Sequence, residues 1–304
     1  MKRKITAWLL AALLLFCLLP LGALADSQPL LYRVTDENGS EIYLFGTIHV
    51  GNEALYPLSG QVLSAMDACD ILAVEVDLVW EMEHPEELLK YAKDIYYTDD
   101  TRAEDALGME LVEQAADALG MDKRLVNGMK PYAILSLLEE KAVSDALLSS
   151  DLGVDQYLIR RAREKGMEVR ALETLEEQFS LLHSMSNALT GYQIMLYASY
   201  PEQAALSTLQ LLDAWKKGDR AMLIAILESE DENMPLPQEL RQEFESFNRK
   251  MYGDRDAAFV RMAQNFLKQD EKVFFAVGAA HVAGTDGMAD QLEKLGYTVE
   301  EIGR

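Results

Sequence analysis

Two segments that lie far apart in the chain share one pattern: residues 42–50 read IYLFGTIHV, and residues 273–282 read VFFAVGAAHV. Each begins with an apolar run that predicts a buried strand, and each continues with the motif Gly-x-x-His. Glycine lets the backbone turn sharply, or approach a ligand closely, where a strand ends. Ligands bind at the carboxyl edge of an open α/β sheet, so we expect His49 and His281 to lie exposed at one common site.

The sequence around this pair predicts an α/β fold with a mixed central sheet and a large helical layer. Asn38-Gly39 between two apolar runs is a strong hairpin signal and predicts the pairing of 30–34 with 42–46. Residues 83–150 have helical periodicity and predict a capping region within a single domain that spans 26–304. Further strands are predicted at 71–77, 167–172 and 297–302, and further helices at 58–68, 151–165, 254–268 and 286–295.

Residues 1–25 have the features of a secretory signal peptide. Lys2, Arg3 and Lys4 precede an apolar run, and Ala23-Leu24-Ala25 supplies the small residues of a cleavage site. Cleavage after Ala25 predicts a secreted or extracytoplasmic protein. The alternative is an uncleaved leader that anchors the chain in a membrane.

The 304-residue chain carries 51 acidic and 28 basic side chains, a net charge of −23. This charge repels phosphate backbones and anionic lipid, so we expect no nucleic-acid partner and no membrane contact beyond an uncleaved leader. Without the leader, Cys69 is the only cysteine, and an internal disulfide is excluded. We predict that Cys69 is a buried spacer.

Two glutamates stand at strand positions where a carboxylate needs a partner. Glu75 lies inside an otherwise apolar predicted strand, and an unpaired buried charge is costly. If that strand neighbours the first Gly-x-x-His strand, Glu75 reaches the same edge as His49. Glu173 ends another predicted strand and is a second carboxylate that can face the site. The remaining histidines, His84 and His183, lie in helical stretches, where we predict structural hydrogen bonds.

The chemistry of these residues is open to two interpretations. His49, Glu75 and His281 are ligand types that a first-row divalent metal prefers, and such a metal would hold an activated water. Without a metal, the same residues supply a base with an orienting carboxylate. The residues alone do not choose between the two.

The paired Gly-x-x-His segments, with a strand-borne glutamate after the first, resemble the TraB/GumN family. This family includes the pheromone-shutdown proteins and is related to the Tiki metalloproteases. The resemblance covers residues 30–302. Further matching stretches are LGVDQYL at 152–158, ALETLEEQ at 171–178, WKKGD at 215–219 and the segment 278–287.

The resemblance implies a fold like that of the erythromycin-esterase and ChaN-like proteins, with His49, Glu75 and His281 at the site. The related Tiki proteins imply a divalent-metal peptidase with Mn or Co as the metal. Zn is a further candidate, and His49, Glu75 and His281 would bind the metal. Glu173 would act as base or as a partner of a ligand, and Arg255 would stabilise an oxyanion. Family members commonly carry Arg-Asn where this chain has Arg255-Asp256, and the aspartate would add negative charge there.

Three functions are consistent with these observations. The first is an exported, metal-dependent hydrolase that acts on a peptide or small-molecule substrate. The second is a metal-free, esterase-like enzyme or transferase that uses a histidine base. The third is a non-enzymatic protein that sequesters a secreted peptide, for which the acidic composition would favour a cationic or hydrophobic peptide.

Overall fold

A computed structural model describes residues 30–91, 95–233 and 236–303. The predicted signal peptide, residues 1–25, lies outside this range. Within it, none of the helices combines the length and the apolar character that a membrane span requires.

The described chain contains a six-stranded mixed sheet with the order β4-β3-β5-β2-β1-β6. Strands β4, β3, β5 and β2 run parallel, whereas β1 pairs antiparallel with both β2 and β6. The predicted α/β fold with a mixed sheet is therefore confirmed. The strands are β1 (Leu31–Thr35), β2 (Glu41–Thr47), β3 (Ile71–Val74), β4 (Glu168–Ala171), β5 (Val273–Gly278) and β6 (Thr298–Glu301).

The two Gly-x-x-His strands, β2 and β5, are parallel neighbours, and Thr47 of β2 is in register with Gly278 of β5. The predicted hairpin is confirmed by the pairing of β1 with β2. The condition set above for Glu75, direct adjacency of its strand to β2, is not met, because β5 lies between β3 and β2. Since all three strands are parallel, their carboxyl ends still meet at one edge of the sheet.

The strand boundaries at this edge differ from the predicted ones. Strand β3 ends at Val74, so Glu75 comes directly after the strand instead of lying inside it. Gly278 ends β5, and a short helix that the sequence patterns did not predict, Ala279–Ala283, begins directly after it. His281 lies in this helix.

The α-helices cover most of the remaining described chain, including the predicted capping region. That region has a hydrophobic core of its own, to which Val112, Ile134 and Leu138 contribute. The helices are Gly60–Asp67, Leu78–Glu83, Pro85–Leu88, Ala103–Leu107, Met109–Leu119, Lys123–Asn127, Pro131–Asp145, Val154–Glu164, Leu175–Leu182, Asn187–Ser199, Pro201–Lys217, Arg220–Asn233, Gln238–Asn248, Arg255–Lys268, Ala279–Ala283 and Met288–Lys294.

Close packing between β2 and the helix Ala279–Ala283 explains the first motif glycine. A Cβ atom on Gly46 would lie 2.9 Å from Cα of Ala279, which is too close for any larger residue. The carbonyl of Gly46 accepts a hydrogen bond of 2.7 Å from Nε1 of Trp215, a fully buried side chain. The glycine of the first motif thus allows the helix of the second motif to pack closely against β2.

Candidate active site at the carboxyl edge of the sheet

Three of the predicted site residues surround the second motif glycine. A Cβ atom on Gly278 would lie 3.3 Å from Oε1 of Glu75, 3.5 Å from Nε2 of His49 and 3.5 Å from Cδ2 of His281. The amide of Gly278 donates a hydrogen bond of 2.7 Å to Oε1 of Glu75. The structure therefore brings His49, Glu75 and His281 together, and glycine leaves the space between them open.

Arg255 lies at the centre of the buried part of this cluster. Its Nη2 donates to Oε2 of Glu75 at 2.6 Å and to Oε2 of Glu173 at 2.7 Å, and its Nε donates to Oε1 of Glu173 at 2.9 Å. Its Nη1 donates to the carbonyl of Met251 at 3.2 Å and to Nε2 of His281 at 2.9 Å. A guanidinium has five N–H groups, and these contacts engage all of them. In this arrangement Arg255 fixes the two glutamates and His281, and it has no free donor for an oxyanion.

The same contacts keep Glu75 ionised. Burial acts to raise the pKa of its carboxyl, but the charges of His49 and Arg255 and the hydrogen bond from the Gly278 amide act against burial, and the pKa is lowered to about 2. Nε2 of Gln178 donates to Oε2 of Glu75 at 3.2 Å and to Oε2 of Glu173 at 3.3 Å. Glu75 is therefore a paired buried carboxylate, as its position in the sequence required.

His281 is held from both sides. Its Nδ1 lies 2.6 Å from Oδ1 of Asp256, and its Nε2 lies 2.9 Å from Nη1 of Arg255. Because a guanidinium only donates, Nε2 must accept, and the proton of the neutral ring stands on Nδ1, where it is donated to Asp256. His281 is only 4% exposed, so the expectation of an exposed histidine was wrong at this position.

Asp256 has a different role from the one expected. Instead of adding uncompensated charge to the site, it accepts the Nδ1 hydrogen bond of His281 and is itself buried. Burial raises the pKa of the Asp256 carboxyl, although the contacts with His281 and Arg255 act in the opposite direction. A π-helical turn at Arg249–Asp254 directly precedes this pair. Such turns are frequent at functional sites, and this one places two consecutive residues against the same histidine.

His49 has an environment unlike that of His281. Its side chain is 58% exposed, and its Nδ1 lies 3.3 Å from Oδ1 of Asp155, a residue near the start of the helix Val154–Glu164. Desolvation acts to lower the pKa of His49, but Asp155 and then Glu75 outweigh it and raise the pKa to about 9. Because solvent screens charges at an exposed ring, this pair contributes little to the stability of the fold. No described residue makes a hydrogen bond to Nε2 of His49.

A cavity of about 150 Å³ borders this exposed histidine. Its walls include His49, Glu75, Asp155 and Gln178. Thr47 also lines it, and the buried hydroxyl of Thr47 has no hydrogen-bond partner among the described residues. Buried polar atoms are normally satisfied, so this cavity is suited to a polar group of a ligand or to a water molecule.

The side chains as arranged do not fit the predicted divalent metal. Nε2 of His281, the nitrogen that faces the cluster, accepts a hydrogen bond from Arg255, and the guanidinium charge lies beside Glu75 and Glu173. Among the described residues, no group of three or more His, Cys, Asp or Glu side chains is arranged to hold a metal ion. Binding of Mn, Co or Zn by His49, Glu75 and His281 stays a prediction, and it would require Arg255 to move.

Sequence reasoning missed three residues of this cluster: Asp155, Gln178 and the pairing role of Asp256. Asp155 and Gln178 stand in two of the stretches that carried the family resemblance, LGVDQYL and ALETLEEQ. The position of these polar residues within the matching stretches was the signal that could have identified them as site residues. The pairing of Asp256 with His281 depends on a contact between residues 25 positions apart, for which the sequence gives no signal.

The remaining histidines and the cysteine occupy structural positions. Nδ1 of His84 lies 2.8 Å from the carbonyl of Trp80, which confirms the predicted structural hydrogen bond. His183 packs against the ring of Tyr132. Cys69 is buried, as predicted, and burial raises the pKa of its thiol to about 12.

The fold and the site together define an α/β protein with two Gly-x-x-His segments on adjacent parallel strands. The model of the TraB/PrgY/gumN family matches residues 30–301, and the chain therefore belongs to this family. No curated protein and no solved structure gives a significant match. The similarity to erythromycin-esterase and ChaN-like folds stays a prediction.

Proposed function

We propose that this protein is an exported hydrolase in which His49 transfers the proton of the reaction without the help of a metal. The observation that carries this proposal is the contrast between the two motif histidines. His281 has both ring nitrogens engaged, whereas His49 keeps Nε2 available beside a cavity of about 150 Å³. A general acid or base must reach the reacting group, and of the two motif histidines His49 satisfies this condition.

The remaining residues act on His49 and on the shape of the site. Asp155, whose Oδ1 lies 3.3 Å from Nδ1 of His49, stabilises the protonated form of the ring as an ion pair. The neutral ring accepts a proton from the attacking water and returns it to the leaving group. Glu75 lines the cavity, and Arg255, which also bonds to Glu173 and His281, holds Glu75 in place. The proposed substrate is a peptide or a small-molecule ester or amide, and export is proposed from the leader at residues 1–25.

Hydrolysis of 4-nitrophenyl acetate and of a defined peptide mixture, measured with and without EDTA, tests the proposal. We expect activity that survives EDTA and is lost in His49→Ala. His84→Ala is the matched control, since His84 is bonded to Trp80 outside the site, and it should retain full activity.

Three outcomes would contradict the proposal. Full activity of His49→Ala would exclude His49 as the proton carrier. Loss of activity in EDTA, with recovery on addition of Mn, Co or Zn, would favour the metal-dependent peptidase predicted from the sequence. Recovery of a tightly bound peptide in intact form, detected by mass spectrometry, would favour sequestration over hydrolysis.

A further inference from the structure

A second and larger cavity, of about 480 Å³, lies between the helical layer and the helix that carries His281. Its described lining shares no residue with the cavity beside His49. Its size falls in the range of pockets that bind small molecules, and nothing in the proposed hydrolysis uses it.

About half of its wall is apolar. Leu196 and Leu227 come from two helices of the layer, and Phe244 and Phe247 come from the helix Gln238–Asn248. Met251, in the π-helical turn before Arg255, continues the wall toward the site. A wall of this kind favours an apolar ligand, because burial of apolar surface stabilises the complex.

The charged groups in the described part of the wall are all carboxylates: Glu139, Glu228 and Asp256. Two of them are already bonded within the protein. Glu228 accepts from the hydroxyl of Thr285 at 2.7 Å, and Asp256 accepts from His281 at 2.6 Å. Glu139 makes no hydrogen bond and no ion pair with any described residue, so its charge is left for a ligand.

The environment of Glu139 supports this assignment. The side chain is exposed and borders the cavity, and desolvation by the surrounding protein raises the pKa of its carboxyl to about 7. A desolvated carboxylate is stabilised when a cation is placed beside it. The described wall contains no lysine, arginine or histidine that could do so.

We propose that this cavity binds an apolar molecule that carries one cationic amine, with the amine at Glu139 and the apolar part against Leu227, Phe244 and Phe247. The amine can belong to a small molecule or to the N-terminus of an apolar peptide. The proposal concerns binding alone and does not depend on hydrolysis at His49.

Isothermal titration calorimetry with three probes of the same shape tests this proposal. 4-Phenylbutylamine carries the cation, 4-phenylbutanol is neutral and 4-phenylbutyrate is anionic. A hydrogen bond between charged partners favours the amine over the alcohol by about tenfold or more, and we expect the anion to bind least well. Leu-Phe-amide and its N-acetyl form, used in the same assay, distinguish a peptide N-terminus from a small amine as the source.

Variants locate the binding. Glu139→Gln keeps the shape of the side chain and should lower the affinity for 4-phenylbutylamine to that for the alcohol. Glu140→Gln is the matched control: Glu140 is the next residue of the same helix, accepts from Ser150 and does not line the cavity, so the amine preference should persist. His49→Ala should also bind the amine normally, so that failure of the hydrolase proposal and failure of this one are distinguishable.

Three results would overturn the proposal. The first is equal affinity of the wild-type protein for the amine and the alcohol. The second is an amine preference that survives in Glu139→Gln. The third is the absence of detectable binding of either probe at millimolar concentration.

Discussion

The two Gly-x-x-His segments have the same sequence pattern and opposite environments. His49 is 58% exposed and is paired at one nitrogen with Asp155 at 3.3 Å. His281 is buried, with Asp256 at 2.6 Å on one side and Arg255 at 2.9 Å on the other. A shared motif on adjacent parallel strands therefore produces one histidine that can react and one that holds the site in place.

The difference arises from the segment of chain after each strand. After β2 the chain continues into an irregular segment, and His49 stands at the surface of the sheet edge. After β5 the short helix Ala279–Ala283 turns back against β2, and the space left by Gly46 allows this close packing. The helix carries His281 into the interior, where Arg255 and Asp256 surround it.

Substitution of each histidine should produce the largest contrast. General acid–base groups contribute about 10²- to 10⁴-fold to rate, so we expect His49→Ala to lose hydrolysis of 4-nitrophenyl acetate by that factor. Because the ring is exposed, the free energy of unfolding should change by less than about 1 kcal/mol. His281→Ala should instead lower stability by about 1–3 kcal/mol, since Asp256 loses its donor in a buried place.

Urea unfolding of both variants checks this contrast, with activity measured on the same preparations. His84→Ala serves as the reference for a histidine outside the site. Equal loss of stability in His49→Ala and His281→Ala would show that the two histidines do not differ as described.

Removal of the buried cation should have the next largest effect. Arg255→Met leaves Glu75 and Glu173 without their guanidinium partner, and breaking a buried ion pair costs about 3–5 kcal/mol. Arg33→Met is the matched control, because the pair of Arg33 with Glu300 is exposed and should cost less than about 1 kcal/mol. Similar unfolding midpoints for the two variants would contradict the central role of Arg255.

The fold could be predicted from the sequence to the extent that local patterns determine it. The hairpin predicted from Asn38-Gly39 is present, since it depends on residues that are close in the chain. Strand order was not accessible in this way. The position of β5 between β3 and β2 depends on contacts between distant segments, so the sequence left open whether the strands that lead to Glu75 and His49 are neighbours.

The site could be predicted as a set of residues, but the contacts between them could not. His49, Glu75, Glu173 and His281 come together because residues that follow the carboxyl ends of parallel strands converge. Arg255, the fifth predicted residue, reaches the cluster from the start of the helix Arg255–Lys268. The sequence could not show that Arg255 would use all its donors on Glu75, Glu173, His281 and Met251. Donor geometry of this kind is determined by the tertiary structure alone.

Acid should destabilise the protein through Glu75. The pKa of its carboxyl is about 2 in the folded state, below the unfolded value of 4.5, so its contribution is present above pH 4.5 and is lost as the pH falls to 2. The shift corresponds to about 3 kcal/mol. Urea unfolding measured between pH 6 and pH 2.5 should show this loss, and Glu75→Gln should flatten that part of the profile. An unchanged profile in Glu75→Gln would contradict the lowered pKa.

The smallest effect concerns the pH dependence of His49. Asp155 raises the pKa of His49 to about 9, and the neutral ring is the active form, so kcat/KM should rise with pH around 9. In Asp155→Asn this rise should move to lower pH, toward the unperturbed value of about 6.5. The stabilisation from this pair exists below pH 6.5 and disappears as the pH rises through 9, but at an exposed ring it should be below about 1 kcal/mol. Asp151→Asn is the control, since Asp151 is exposed outside the site. If kcat/KM of Asp155→Asn rose at the same pH as that of the wild-type protein, Asp155 would not act on His49.

The protonation states of the two motif histidines test the central claim most directly, and they require no substrate. Nitrogen-15 NMR of protein labelled at histidine, with His49→Ala and His281→Ala used for assignment, distinguishes the Nδ1–H tautomer from the Nε2–H tautomer. We predict that the His281 ring carries its proton on Nδ1 and accepts at Nε2, and that the pKa of His49 lies well above 6.5, near 9. A His281 ring with its proton on Nε2, or a His49 ring that titrates at or below about 6.5, would contradict the division of roles between the two motifs.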